Sequence, residues 1–161
     1  MVKCSRRVAH KTRMEGAFSA RVLAHNSRKR SLNEIKMEGK QYMNRTELGR
    51  FGERLALEYL NNKGYNTVAL NYRVGRLGEI DIIVSKEGRI CFVEVKTRTG
   101  TSFGTPAEAV SWKKQNTIRR IAACFLKAHN AMDSRVQFDV IEVIAGKNGE
   151  FNKINHIQEA F

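Results

Sequence analysis

With 161 residues, 42 % of them hydrophobic, the chain can bury one compact core. Its apolar runs fall well short of the roughly 20 residues that span a bilayer, and no secretory apolar segment stands at its start, so a membrane or secreted protein is not expected. A net charge of +13 calls for a polyanionic partner, nucleic acid ahead of a membrane surface or ribosome.

Residues 1–42 hold eleven Lys/Arg and three Asp/Glu, so much of the excess charge lies there. The segment has RR and RKR runs, few apolar residues and weak periodicity, and a disordered basic tail is expected. Three readings of it stand side by side: a basic arm that tracks phosphates, a transit-like leader, or a start-site artefact, since Met43 directly precedes the first clear helix signal. The domain proper is expected over 43–161.

Asn44 followed by Glu47 forms a capping box. Leu48, Phe51, Leu55, Tyr59 and Leu60 then keep helical spacing up to a stop at Lys63 and Gly64. A strand is expected over 67–73, then a turn at 75–78. The segment GEIDIIVSKEGRICFVEVKTR, 78–98, reads as a hairpin turning at Glu87 and Gly88. A loop over 99–105 leads to Thr105, Pro106, Ala107 and Glu108, a second capping signature with proline at the first helical position. Helix continues, with a break near Ser111, through Ile118, Ile121, Ala122, Phe125 and Leu126. A strand over 136–144, a turn at Lys147, Asn148 and Gly149, and a last strand Phe151–Ile157 complete the order αβββαββ. That order predicts an α/β domain, a central mixed sheet flanked by helices.

The hairpin carries the chemistry. A two-residue turn sets Lys86 opposite Arg89, Asp81 opposite Glu94 and Glu79 opposite Lys96. Residues two apart on a strand share a face, so all four charges of the last two pairs meet on one face. Directly opposed Cβ atoms are roughly 4.5–5.5 Å apart, and like charges at that distance repel. Asp81 and Glu94 therefore call for a cation, and Mg²⁺ or Mn²⁺ suits hard oxygen ligands. Lys96 would orient or deprotonate an attacking water. The competing reading is a salt-bridged edge, Glu79 to Lys96. Against it, Ile80, Ile82, Val93 and Val95 imply buried central strands, where unpaired charge is costly.

Glu53 shares a helix face with the small residues Gly49 and Ala56, which would bring it near the hairpin; otherwise it is a solvated helix acid. Lys114 and Gln115 are placed to contact a phosphate, or else belong with Lys113, Arg119 and Arg120 to a solvated basic face. Arg73, Arg76 and Arg98 lie at strand ends, where phosphate contacts would serve. Trp112 and Tyr72 either stack on bases or pack at the rim. Asp139 reads as a buried, hydrogen-bonded acid. His10, His25, His129 and His156 show no partner spacing. Cys4, Cys91 and Cys124 lack zinc-site spacing, and a reducing cytosol fits them. No P-loop, GxGxxG, GxSxG or HExxH motif is present.

Together, Gly49-x-x-Gly52-Glu53-x-x-Ala56, Asn71-x-Arg73, Gly78-Glu79-Ile80-Asp81, Phe92-Val93-Glu94-Val95-Lys96-Thr97-Arg98, Phe103-Gly104 and His156-Ile157-x-x-Ala160-Phe161 resemble the YraN-like bacterial family over residues 44–161. That family is similar in fold to archaeal Holliday-junction resolvases and PD-(D/E)xK restriction endonucleases. The resemblance implies a restriction-endonuclease-like fold with Asp81, Glu94 and Lys96 as the D…ExK triad and Glu53 as the first-helix acid. Ile80 stands where the PD pair has proline. It further implies a Mg²⁺- or Mn²⁺-dependent endonuclease acting on DNA, including branched or damaged forms. Resolvase-like folds often act as a homodimer, though no feature of this sequence marks a dimer interface, and the cysteine pattern points to the cytoplasm. The alternatives are a non-cleaving nucleic-acid-binding module with a nuclease-like fold and a small scaffold protein.

Overall fold

The computed structural model describes residues 43–99, 110–146 and 150–161, with Asn152 as backbone only. The tail 1–42, the loop and capping signature at 100–109 and the turn at 147–149 lie outside the described residues.

Helix α1, Arg45–Asn62, begins as its sequence demands. Asn44 Oδ1 accepts from the Thr46 and Glu47 backbone N–H groups at 3.0 Å, and Glu47 Oε2 accepts from the Asn44 N–H at 3.0 Å. Three end groups that would otherwise lack partners are thereby satisfied. After the helix, Gly64 takes φ +81°, a left-handed position that glycine adopts without strain.

Strands β1 (Asn66–Val74), β2 (Gly78–Lys86), β3 (Arg89–Thr99), β4 (Arg135–Ala145) and β5 (Phe151–Ile157) form one sheet in that order. The β3–β4 pair is parallel and the other three pairs are antiparallel. A parallel step needs a crossover, supplied here by α2, Trp112–Ala128. Ser111 caps it, so the described helix starts at the expected break.

Alternation along β3 separates two cores. Cys91, Val93 and Val95 join Ala56 and Leu60 of α1, with Ile82, Val84, Ile141 and Val143. Phe92 points the other way and meets Phe125 of α2 edge-on at 5.8 Å. The two helices therefore flank opposite faces of a five-stranded mixed sheet, a restriction-endonuclease-like α/β fold. No described helix is long and apolar enough to cross a membrane.

Gly52 fixes where α1 lands. A Cβ there would stand 1.8 Å from Thr97 Oγ1 and 2.9 Å from Thr97 Cβ. Gly49, expected to allow the close approach, has nothing within 4 Å, so the tight contact belongs to Gly52.

The C-terminal motif is a pin. Asp139, fully buried, accepts from Gln137 Nε2 at 2.9 Å and from the Glu159 backbone N–H at 3.0 Å, and its other oxygen bonds His156 Nε2 at 2.9 Å. Ala160 N–H donates to the Phe138 carbonyl at 2.8 Å, and Phe161 stacks on Phe138 at 5.5 Å. His156, which showed no partner spacing in the sequence, thus has one in Asp139.

Candidate functional site

The hairpin turns at Glu87 and Gly88 and pairs as expected from Lys86↔Arg89 to Ile82↔Val93. There the ladder stops, one residue short of Asp81 and Glu94. Instead, Asp81 Oδ2 accepts the Val95 backbone N–H at 2.7 Å. A carboxylate takes the place of a strand carbonyl between β2 and β3.

The other neighbour lapses at the same residue. Leu70↔Ile82 and Tyr72↔Ile80 are paired, but Asn71, which falls opposite Asp81, is not. Asn71 has φ +49°, left-handed backbone in mid-strand, and asparagine is among the few residues that tolerate it. β2 also changes face here. A Cβ on Gly78 would look at Thr117 and Ile121 of α2, whereas Ile82 belongs to the α1 core. On a regular strand these two positions would share a face. The expectation that Glu79 and Asp81 point the same way rests on that regularity, which ends at Asp81.

Glu94 is 3 % exposed. Lys96 Nζ donates to its Oε1 at 2.6 Å. Lys114 Nζ, from α2, stands 3.0 Å from Oε2 and donates to the Glu79 carbonyl at 3.4 Å. Even so, Oε2 has no donor aligned on it and is the only buried side-chain polar atom among the described residues without a hydrogen bond. Burial first, and the neighbouring Glu94 charge second, push the Asp81 carboxyl up to about 7. The Val95 N–H and the Lys114 ammonium pull against that rise, and Glu53 adds to it. Glu53 thus lies near the hairpin, as its helix position suggested. It also lines a cleft of about 490 Å³ with Thr46, Gly49, Arg50, Asn71 and Glu79.

Glu79 does not pair with Lys96. It binds Arg73 across β1 and β2, in an exposed ion pair. The salt-bridged edge set out from the sequence, Glu79 to Lys96, is thereby replaced by two separate pairs. Arg98 Nε lies 3.5 Å from Glu142 Oε1, and Asn155 donates to Glu142 Oε2 at 2.9 Å. Gln115 Nε2 donates to the Val110 carbonyl at 3.0 Å, at the start of α2. Trp112 is 76 % exposed, so it is not part of the core. Tyr72 packs edge-on against Phe125 at 5.1 Å.

Glu142 was missed in the sequence. It is 5 % exposed and sits beside Lys96 in the β3–β4 register. The signal was present: Ile141-Glu142-Val143 interrupts an apolar strand just as Val93-Glu94-Val95 does.

Among the described residues, no three His, Cys, Asp or Glu side chains are gathered to hold a metal unaided. Asp81 and Glu94 provide two carboxylates, and Glu94 Oε2 is a buried acceptor without a hydrogen bond. This donor set fits Mg²⁺, which keeps several waters and is commonly held by one or two carboxylates plus substrate phosphate. It does not fit a dedicated all-protein cage. A second cleft, of about 360 Å³, lies at the turn end of the hairpin by Arg89, Cys91 and Gln137. The thiol of Cys91 there is pushed up to about 12 by burial, which leaves it without thiolate character.

A family model described as "Uncharacterised protein family UPF0102" matches residues 52–143. A UPF0102 protein of Alkaliphilus oremlandii is 50 % identical over 117 residues, 71 % of this chain and 97 % of that protein. One of Caldicellulosiruptor bescii is 44 % identical over 120 residues, 74 % of this chain and all of that protein. One of Clostridioides difficile is 44 % identical over 119 residues, with the same two shares.

Proposed function

The chain belongs to the UPF0102 family, and on that premise we propose that it is a divalent-metal-dependent endonuclease hydrolysing phosphodiester bonds of DNA, branched or damaged forms included. The observation that carries this reading is the meeting of Asp81, Glu94 and Lys96 at the point where β2 parts from β3 and its pairing with β1 lapses for one residue. Backbone pairing is given up there in favour of two acidic side chains in a half-buried site. Such an arrangement is costly unless the charges are used.

Asp81 and Glu94 would hold Mg²⁺ or Mn²⁺. The ion, when bound, supplies the positive charge that eases attack on a phosphodiester. Lys96 is fixed by Glu94 yet 32 % exposed, so its ammonium can reach a phosphate oxygen or the attacking water. Glu53, on the cleft side, would orient water or complete the ion's shell. Arg73, Arg98, Lys114 and Gln115 would position the backbone phosphates. A homodimer would present two such sites to a branched substrate.

One observation favours the non-cleaving binding module. Glu94 already has two ammonium groups beside it, Lys96 and Lys114. A cleavage panel separates the readings: linear, flapped and four-way DNA, and RNA, each with Mg²⁺ and with Mn²⁺. Cleavage is expected to need metal and to be lost in Asp81→Asn, Glu94→Gln and Lys96→Ala. Activity surviving in all three variants would place the chemistry elsewhere. Salt-sensitive DNA binding without cleavage at any metal concentration would establish the binding module.

A further inference from the structure

The two ammonium groups beside Glu94 are not equivalent. Lys96 makes an aligned 2.6 Å bond to Oε1. It stands two residues from Glu94 on the same strand, so the sheet itself holds the pair together. Lys114 comes from a different element, α2. Its Nζ lies 3.0 Å from Oε2, yet Oε2 has no aligned donor. Its other contact, to the Glu79 carbonyl, is long at 3.4 Å. The buried oxygen is therefore neutralised in charge but not satisfied in hydrogen bonding.

An oxygen in that condition is available to a harder cation. Resting on the metal-dependent reading above, we infer that Lys114 is a resident counter-ion that holds the metal's place at Glu94 Oε2. It leaves when a divalent ion binds, and its ammonium then serves a backbone phosphate of the nucleic acid. An ammonium and a divalent ion held together at Oε2 would repel each other at contact distance, which favours exchange of one for the other. Both lysine side chains are 32 % exposed, so the bonds decide: Lys114 is the one to leave, since its contacts are the poorer and it is not tied to Glu94 by a shared strand. Its four-carbon stem lets the charge swing away while α2 stays in place. Lys96 remains as the fixed positive charge. The same device lets the fold tolerate a buried Glu94 before any ion arrives.

Mn²⁺ titration by calorimetry tests this on wild-type protein, Lys114→Met and Glu94→Gln. Removing the competitor is expected to tighten Mn²⁺ binding about tenfold in Lys114→Met, while Glu94→Gln loses it. Affinity of Lys114→Met for a DNA duplex in Ca²⁺ should fall, with the salt slope reduced by about one. In wild-type protein, ammonium-selective NMR should find the Lys114 signal protected without metal and lost to solvent exchange at saturating Mg²⁺, with Lys96 unchanged. This readout decides the matter even where Lys114→Met does not fold. A Lys114 signal that persists at saturation overturns the inference. So does an unchanged Mn²⁺ affinity in folded Lys114→Met, and if Glu94→Gln still abolishes binding the metal reading stands without it. Absence of Mn²⁺ binding in wild-type protein removes both.

Discussion

Asp81→Asn should stabilise the metal-free protein, and the gain should depend on pH. The unfolded chain releases the Asp81 proton near 3.8, whereas the folded protein keeps it until about 7. Below the first value both states are protonated and the group costs nothing. Between the two values the folded protein binds more proton, so stability falls as pH rises. Above the second value both states are ionised and the cost is constant. At about 1.4 kcal/mol for each unit between those values, burying the ionised carboxylate costs roughly 4 kcal/mol. Asparagine removes that cost and keeps an oxygen for the Val95 N–H, but gives up the attraction to Lys114. A net gain of about 2 kcal/mol at pH 8, and close to none at pH 4, is expected. Urea unfolding with a chelator present, at both pH values, measures it. An equal gain at both, or a loss at pH 8, would refute the claim that burial and the Glu94 charge govern this carboxyl.

Three further changes probe the frame around the site. Gly52→Ala puts a methyl 1.8 Å from Thr97 Oγ1 and should cost about 2 kcal/mol in thermal unfolding, with part recovered by Thr97→Ala. Full stability in the single variant would mean that α1 is not seated on β3. Asp139→Ala strips the acceptor from His156, Gln137 and the Glu159 N–H, and should cost about 3 kcal/mol by urea unfolding. A loss under about 1 kcal/mol would show that the C-terminal residues are not pinned through this acid. Trp112 is the chain's one tryptophan, so its fluorescence reports a single place. Single-stranded oligonucleotide should quench it, and Trp112→Ala should weaken binding about tenfold without moving the melting temperature. Emission unaltered by saturating oligonucleotide would exclude stacking at this helix end.

What could be read in the sequence was whatever is encoded within a few residues. The capping box at Asn44 and Glu47, the Glu87 and Gly88 turn and the strand Phe151–Ile157 are local signals, and all three stand as read. The positions of Asp81 and Glu94 were legible because an acid interrupts an apolar strand at each. Their surroundings were not. The Lys114 contact joins residues twenty apart through α2, and the Asp139–His156 pair joins two strands that no pattern of period two connects. The deeper failure lies in the period itself. Reading faces by alternation assumes an unbroken strand, and β2 changes face where Asn71 goes left-handed and Asp81 drops out of both ladders. A perfectly regular β2 would have placed Glu79 across from Lys96, an exposed ion pair of little consequence. The irregularity sends Glu79 to Arg73 and turns Asp81 onto the Val95 N–H. Asn71 is therefore as much a part of the site as the acids: its left-handed backbone opens a one-residue gap in the β1–β2 ladder, which resumes at Tyr72↔Ile80, and Asp81 falls in that gap.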